Sequence, residues 1–266
     1  MVRTLFMKVK DSIIWLVSFP IGSILRKHPF FFNAETLGIV TFLKENLPKV
    51  APNTASLLDI GSGRQPYAEI IKSKNYKYET ADIVSSDAYK TTYIADAASL
   101  PVARNSYDVV VSFQTLEHLP DPDQSLQEWF RILKPGGILL VTTNFYYPQH
   151  GEPRDYYRFT QYGLQRSLVR NNFQSIRVSK RGNGLSIILI TSFFRLRRVH
   201  NEYLILLSSS RFFLFKILFC FLLPFFLLLN TLFVSTYGVL ALLTRDKVSN
   251  SRYIGVAAYS VKPKHQ

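Results

Sequence analysis

LLDIGSGRQPY, residues 57–67, is the stretch on which the fold turns. A short apolar run ends in Asp59, and Gly61 and Gly63 follow at once. Glycines so placed allow a tight turn and a close approach of backbone to a ligand. Pro66 suits a first helical turn, where its missing N–H is no loss. A strand that passes through such a turn into a helix is a unit of an open α/β sheet, whose ligands lie outside the carboxyl ends of the strands. Alone, the glycine pair signals a tight strand-to-helix turn and nothing more, so the flanking sequence decides.

Outward from this turn, strands and helices alternate. Residues 35–47 put Leu37, Val40, Leu43 and Leu47 on one helical face before Pro48 ends the run. Strands are predicted over residues 56–60, 76–82, 91–95, 107–113, 138–143 and 173–179. Helices are predicted over 66–73, 122–133 and 160–170, the second closed by Lys134-Pro135-Gly136-Gly137. YIGVAAYSVKPK, residues 253–264, supplies one last strand over 253–262. The alternation predicts an α/β fold with a mostly parallel sheet and helices on both faces. Four segments follow: an N-terminal apolar and basic helix (1–34), a core (35–184), an apolar helical insert (185–252), and a final strand with its tail (253–266).

Charge separates the core from its flanks. The chain of 266 residues carries 32 Lys and Arg against 18 Asp and Glu, a net +14. Residues 1–50 hold seven basic and three acidic residues, residues 51–150 eight and eleven, and residues 151–266 seventeen and four. The basic excess therefore lies outside the segment that bears the motifs, and it suits an anionic partner such as lipid head groups, a phosphorylated substrate or nucleic acid. Cys220 is the single cysteine, which excludes an internal disulfide and a thiolate metal cluster.

Further acidic residues stand where strands end: Asp82 after the second, and Asp96-Ala97 after the third. A carboxylate at the end of a second strand can accept both hydroxyls of a ribose. LPVARNSYDVVVSFQTLEHL (100–119) and EWFRILKPGGILLVTT (128–143) complete an ordered set of motifs. From about Ser56 to about Gly184 this set resembles the type 11 branch of the class I S-adenosylmethionine (SAM)-dependent methyltransferases. The resemblance implies a Rossmann-like, seven-stranded sheet whose last, antiparallel strand slots between the fifth and sixth. It implies SAM as methyl donor, with Asp59, Gly61, Ser62 and Gly63 lining the methionine end. Asp82 and Ile83 then meet ribose and adenine, Asp96 and Ala97 meet adenine, and Gln114 closes the methionine side. This sequence departs from the pattern in two places. Gln65 replaces the third glycine, and residues 83–90 leave no room for the usual helix between the second and third strands. Asp87 in that loop is a second candidate for the ribose.

HGEPRDYYRFT (150–160) follows the fifth strand, where methyl acceptors sit in the fold that the resemblance implies. It resembles a His…Pro…Asp-Tyr-Tyr-Arg-Phe-Thr pattern of methyltransferases from surface-glycan and related pathways. His150 is a natural general base for a hydroxyl acceptor. Asp155 can orient its ring, and Arg158 can either anchor an anionic acceptor or brace Asp155 internally. His118 is the rival base, or a packing residue of its loop. No His or Cys ligand cluster is visible, so no metal is expected.

The flanks suggest where the reaction takes place. No charged residue occurs between Lys216 and Arg245. A single span takes roughly 20 apolar residues, but one crossing would strand the last strand on the wrong side of the bilayer. Two crossings need more apolar sequence than this run supplies. A monotopic element on the cytoplasmic side of a membrane satisfies both limits. Arg195, Arg197, Arg198, Arg211 and Lys216 would then face anionic head groups, joined by the helix predicted over residues 12–25. A buried helical subdomain or a homodimer interface is the alternative. The expected activity is O-methylation of a glycan, a lipid-linked or another small acceptor. Two other classes stay open. One is a nucleic-acid methyltransferase using the basic flanks, though Gln114-Thr115-Leu116-Glu117 replaces the Asn/Asp-Pro-Pro-aromatic string expected there. The other is a non-catalytic SAM-binding membrane scaffold.

Overall fold

The computed structural model of the chain describes residues 34–85, 88–182, 187, 191 and 253–264. The helix predicted over 12–25, nearly all of the insert over 185–252, and Asp87 lie outside the described residues. Among the described residues no helix is long and apolar enough to cross a membrane.

The elements are α1 (Ala34–Asn46), β1 (Ser56–Ile60), α2 (Ala68–Lys72), β2 (Lys77–Asp82), β3 (Tyr93–Ile94), β4 (Tyr107–Phe113), α3 (Pro122–Ile132), β5 (Leu133–Asn144), α4 (Gln161–Arg170), β6 (Gln174–Arg181) and β7 (Gly255–Val261). The seven strands form one sheet in the order β3-β2-β1-β4-β5-β7-β6. β1 pairs in parallel with β2 and with β4, and β7 is antiparallel to both of its neighbours. The last strand therefore lies between the fifth and the sixth, as the resemblance implies.

Period-two alternation divides the core. Leu57, Val109, Val111, Leu140 and Ala257 point to one face and pack with Ile39, Phe42, Leu43 and Leu47 of α1 and Ile71 of α2. Leu58, Ile60, Val110, Leu139, Val141, Val256 and Ala258 point to the other, against Leu126, Trp129 and Ile132 of α3 and Leu164 and Leu168 of α4. Burial on both faces explains the unbroken apolar run of β4. Two caps fix the helices on the second face. Asp121 Oδ1 accepts from the N–H groups of Asp123 and Gln124, and Thr160 Oγ1 accepts from Gly163 N–H.

Three local expectations are corrected. The helix after the glycine turn begins at Ala68 rather than at Pro66, because Tyr67, with a φ of −106° and a ψ of 1°, is still outside helical geometry. The third strand shrinks to Tyr93–Ile94. Lys134-Pro135-Gly136-Gly137 is not a turn outside the sheet but lies within β5: pairing with β4 jumps from Tyr107–Leu133 to Val109–Ile138, while Gly136 and Gly137 stay paired with Lys262.

At the far end of β7, Lys262 is only 5% exposed. Its Nζ donates to Asn105 Oδ1 at 2.8 Å, Phe130 O at 2.9 Å and Leu133 O at 2.8 Å. One ammonium thus ties the last strand to α3, to the start of β5 and to the loop before β4. Lys262→Met keeps the stem and removes three donors, leaving acceptors unpaired. A cost of about 2–4 kcal/mol is expected, read as a lower urea midpoint with an unchanged slope.

Candidate functional site

The strand order reverses between β1 and β4, and the residues singled out in the sequence gather at the carboxyl ends there. Gly61 (φ 70°) follows β1 directly. A Cβ on it would lie 2.1 Å from Thr115 Oγ1, so only glycine fits where the β1 turn meets the segment after β4. Gly61 N–H and Ser62 N–H both donate to Ala81 O. Gly63 (φ 50°) faces open space. Gln65, in the place of the third glycine, keeps the turn although its φ is positive, and its side-chain amide donates to Lys90 O.

Asp59 is 2% exposed and accepts from Tyr78 Oη at 2.8 Å. Burial pushes its carboxyl up to about 7, the tyrosine hydrogen bond opposes this, and Asp82 adds to the rise. Asp82 spans the turn: Oδ2 accepts from Gly63 N–H at 2.8 Å and Oδ1 from Val84 N–H at 3.1 Å. Ile83 and Val84 beside it are exposed apolar side chains. Asp96 is exposed and caps Ala98 N–H, and Ala97 is buried with its carbonyl accepting from Trp129 Nε1. Gln114 ends β4 with a φ of 55°. Both polar atoms of its amide, and Ser62 Oγ, are buried and make no hydrogen bond among the described residues.

A second cluster lies across the site. His118, on the 3-10 turn Leu116–His118, meets His150 edge to face with ring centroids 4.7 Å apart. His118 Nδ1 is hydrogen-bonded to Arg154 O, and His150 Nδ1 to Pro148 O at 3.1 Å. A carbonyl only accepts, so both Nδ1 atoms carry the proton and both Nε2 atoms keep a lone pair. Burial, with His118 close by, lowers the His150 pKa. Asp155 accepts His150 N–H at 3.0 Å and lies 3.6 Å from its Nδ1. It is also gripped by Arg158 at 2.6 and 2.7 Å, which holds its carboxyl well below the usual range. Arg158 further donates to the carbonyls of Tyr157 and Tyr147. The internal brace is thus the arrangement found for Arg158, and the His150 ring is oriented chiefly by Pro148. Tyr146, Tyr156 and Tyr157 are exposed around this cluster.

Glu117 was not singled out in the sequence. It is fully buried; Oε2 accepts from Thr143 Oγ1 at 2.8 Å and Oε1 from Asn144 Nδ2 at 2.9 Å. Its backbone carbonyl accepts from Tyr156 and Tyr157 N–H. Desolvation raises its pKa. The only hint in the sequence was a carboxylate directly after the buried Leu116. The sequence has no spaced ligand motif, yet the structure brings Glu117, His118 and His150 together.

Comparison with known proteins gives the family of the chain. A family model described as a methyltransferase domain matches residues 27–179, more than half of the chain. A ubiquinone/menaquinone biosynthesis C-methyltransferase, UbiE, of Pseudoalteromonas translucida is 36% identical over 83 residues, which cover 30% of this chain and 33% of that protein. An uncharacterized methyltransferase of Mycobacteroides abscessus is 26% identical over 121 residues, 41% of this chain and 47% of that one. The matches span less than half the length of these curated relatives. Among solved structures, the [4+2]-cyclase SpnF aligns with a TM-score of 0.53 at 18% identity, over 85% of this chain and 80% of that one. A Haemonchus contortus phosphoethanolamine N-methyltransferase 2 in complex with SAM aligns at 0.52 and 20% identity, over 86% and 52%. At such identities the structures establish the fold alone. With the sheet order, the glycine turn and the family match in agreement, this chain belongs to the class I SAM-dependent methyltransferase family.

Proposed function

We propose that the chain moves a methyl group from SAM to a hydroxyl of a glycan, a lipid-linked or another small acceptor at the cytoplasmic face of a membrane. The observation that carries this reading is the pair His118 and His150, held with free Nε2 lone pairs beside exposed tyrosines. Relatives are named for carbon and nitrogen methylation, so the family does not select the atom. A hydroxyl must lose a proton, and a positioned imidazole is what serves that need.

The residues of the first cluster fit the donor. Ser62 Oγ and the Gln114 amide are buried polar atoms in want of partners. Asp82 keeps lone pairs for ribose hydroxyls beyond its two backbone bonds. Ile83 offers an apolar surface to a flat base, and Asp96 keeps a second oxygen for an amine. Bound there, SAM supplies an electrophilic methyl on a sulfonium. The chain's own work is positioning: it holds the acceptor oxygen in reach, takes its proton on His150 Nε2, and steadies the imidazolium with Asp155.

The membrane part rests on sequence and on one hydrogen bond. Ile254 N–H donates to Arg181 O at 2.9 Å, so the chain just before and just after residues 183–252 meets at one point of the sheet. A charge-free run inside a segment with both ends on one side suits attachment to one leaflet.

Three outcomes are expected. Asp82→Ala weakens SAM binding about 10–100-fold by calorimetry, since charge-assisted bonds are worth roughly 1.5–3 kcal/mol each. Unchanged affinity removes Asp82 from the site.

Asp59 gives a pH dependence. Its folded pKa lies above its unfolded one, so the free chain is most stable below pH ~4 with respect to this group. It loses on the order of 3–4 kcal/mol as the pH rises through about 7. A cationic ligand favours the carboxylate, so SAM binds more tightly at pH 8 than at pH 6 and releases a proton on binding. Asp59→Asn should abolish both trends; trends that persist in that variant place the titrating group elsewhere.

Membranes containing the chain and methyl-labelled SAM should yield label in the lipid or glycan extract, not in RNA. His150→Ala should lower that incorporation by roughly 10²–10⁴-fold with SAM affinity nearly unchanged. Full incorporation by the variant would end the assignment of His150 as the base.

A further inference from the structure

Glu117, His118 and His150 each offer one ligand atom, and these atoms all lie within 4.8 Å of one another. Three features set this group apart from an ordinary aromatic contact. First, each imidazole gives its Nδ1–H to a backbone carbonyl, as metal-ligating histidines do, which leaves Nε2 with the free lone pair. Second, the carboxylate has its own supports: Thr143 and Asn144 each donate to one oxygen and leave further lone pairs. Third, the backbone brings the rings together at a glycine. Gly151 has a φ of 68°, and a Cβ there would lie 3.0 Å from His118 Cε1. A larger residue at 151 would be strained by the backbone and would press on the His118 ring.

We propose that Glu117, His118 and His150 form a binding site for a divalent transition-metal ion of the Zn2+ and Co2+ class. Two imidazoles and one carboxylate are the donor set that such borderline ions favour over Mg2+ or Ca2+. Bonds of about 2.0–2.2 Å in a tetrahedron set ligand atoms roughly 3.3–3.5 Å apart, so the three side chains close in by somewhat more than 1 Å when the ion enters, on the order of one side-chain rotation. Three protein ligands leave a fourth position, and the partly exposed His118 and His150 leave it room for solvent.

One consequence rests on the reading of His150 as the base. The ion and the acceptor proton compete for the same Nε2 lone pair, so Zn2+ inhibits methyl transfer in competition with the acceptor and not with SAM. The binding itself does not depend on that reading.

The test uses the full chain, stripped with a chelator and titrated with Co2+ and with Zn2+. The expected result is a visible d–d absorption band that saturates near one Co2+ per chain and is displaced by Zn2+. His118→Ala and His150→Ala should each weaken Zn2+ binding by at least 10–100-fold, the loss that even outer-sphere changes cause. SAM affinity reports whether each variant is folded, and Glu117→Gln adds the third ligand. No saturable band in the wild type overturns the site, and so does Zn2+ affinity unchanged in folded His118→Ala and His150→Ala chains. If Zn2+ binds as expected while His150→Ala keeps full methyl transfer, the base assignment falls and the metal site stands.

Discussion

The contact between the turn after β1 and the segment after β4 is the constraint on which the remaining structure depends. The sheet runs outward from β1 through β2 to β3 and, on the other side, from β4 through β5. Connections diverge at this point and open a crevice at the strand ends. Its floor is the approach of Gly61 to Thr115, too close for any Cβ. Asp82 then pins the same turn from the β2 side through Gly63 N–H. Strand-end residues from three strands thereby meet around one space. Moving any one strand out of register would separate them, since a one-residue slip reverses every side chain.

Burial does opposite work on the two sides of that crevice. Asp59 near the end of β1 and Glu117 on the 3-10 turn after β4 are both carboxylates, both nearly or wholly inaccessible, and both pushed up by desolvation. Asp59 has one hydroxyl donor, and its charge is poorly compensated until a cation arrives. Glu117 instead has two side-chain donors and, through its backbone carbonyl, the N–H groups of Tyr156 and Tyr157. The first is a buried acid with a single side-chain partner. The second is a clamp that fixes the 145–160 segment to β4 and β5. A buried carboxylate is costly unless such donors are present, and here they are Thr143 and Asn144 at the end of β5, while the backbone carbonyl of the same residue holds Tyr156 and Tyr157.

The sheet was legible in the sequence because its strands are buried on both faces and read as apolar runs. β1 and β4 appear at the bounds expected for them. Edges were less legible. β3 has two residues and no apolar run to betray its ends. The Lys-Pro-Gly-Gly string looks like a helix terminator, yet the chain re-enters the sheet around it, a matter of pairing that local sequence does not encode. At the candidate site, the residues of the first cluster could be picked out because they stand at or just beyond the ends of strands. The acceptor side was only half legible. His118 and His150 lie 32 positions apart, and only the fold brings them together. Glu117 was hidden, since a carboxylate within Leu116-Glu117-His118 reads as an exposed loop charge until its donors on β5 are known.

The same sheet constrains the part of the chain with the most apolar sequence. β7 is the middle partner of β5 and β6, with seven residue pairs to β5. Removing it would leave β6 without its partner strand and α4 without much of its floor. The strand can take its place only if the chain returns after residue 252 to the point it left after Arg181, where Ile254 N–H meets Arg181 O. An insertion with both ends fixed at one spot adds little closure cost as it lengthens, since each doubling costs only about 0.6 kcal/mol. Its composition is therefore free to serve another purpose than the core. A run without charge from 217 to 244, with arginines ahead of it, is what such freedom permits.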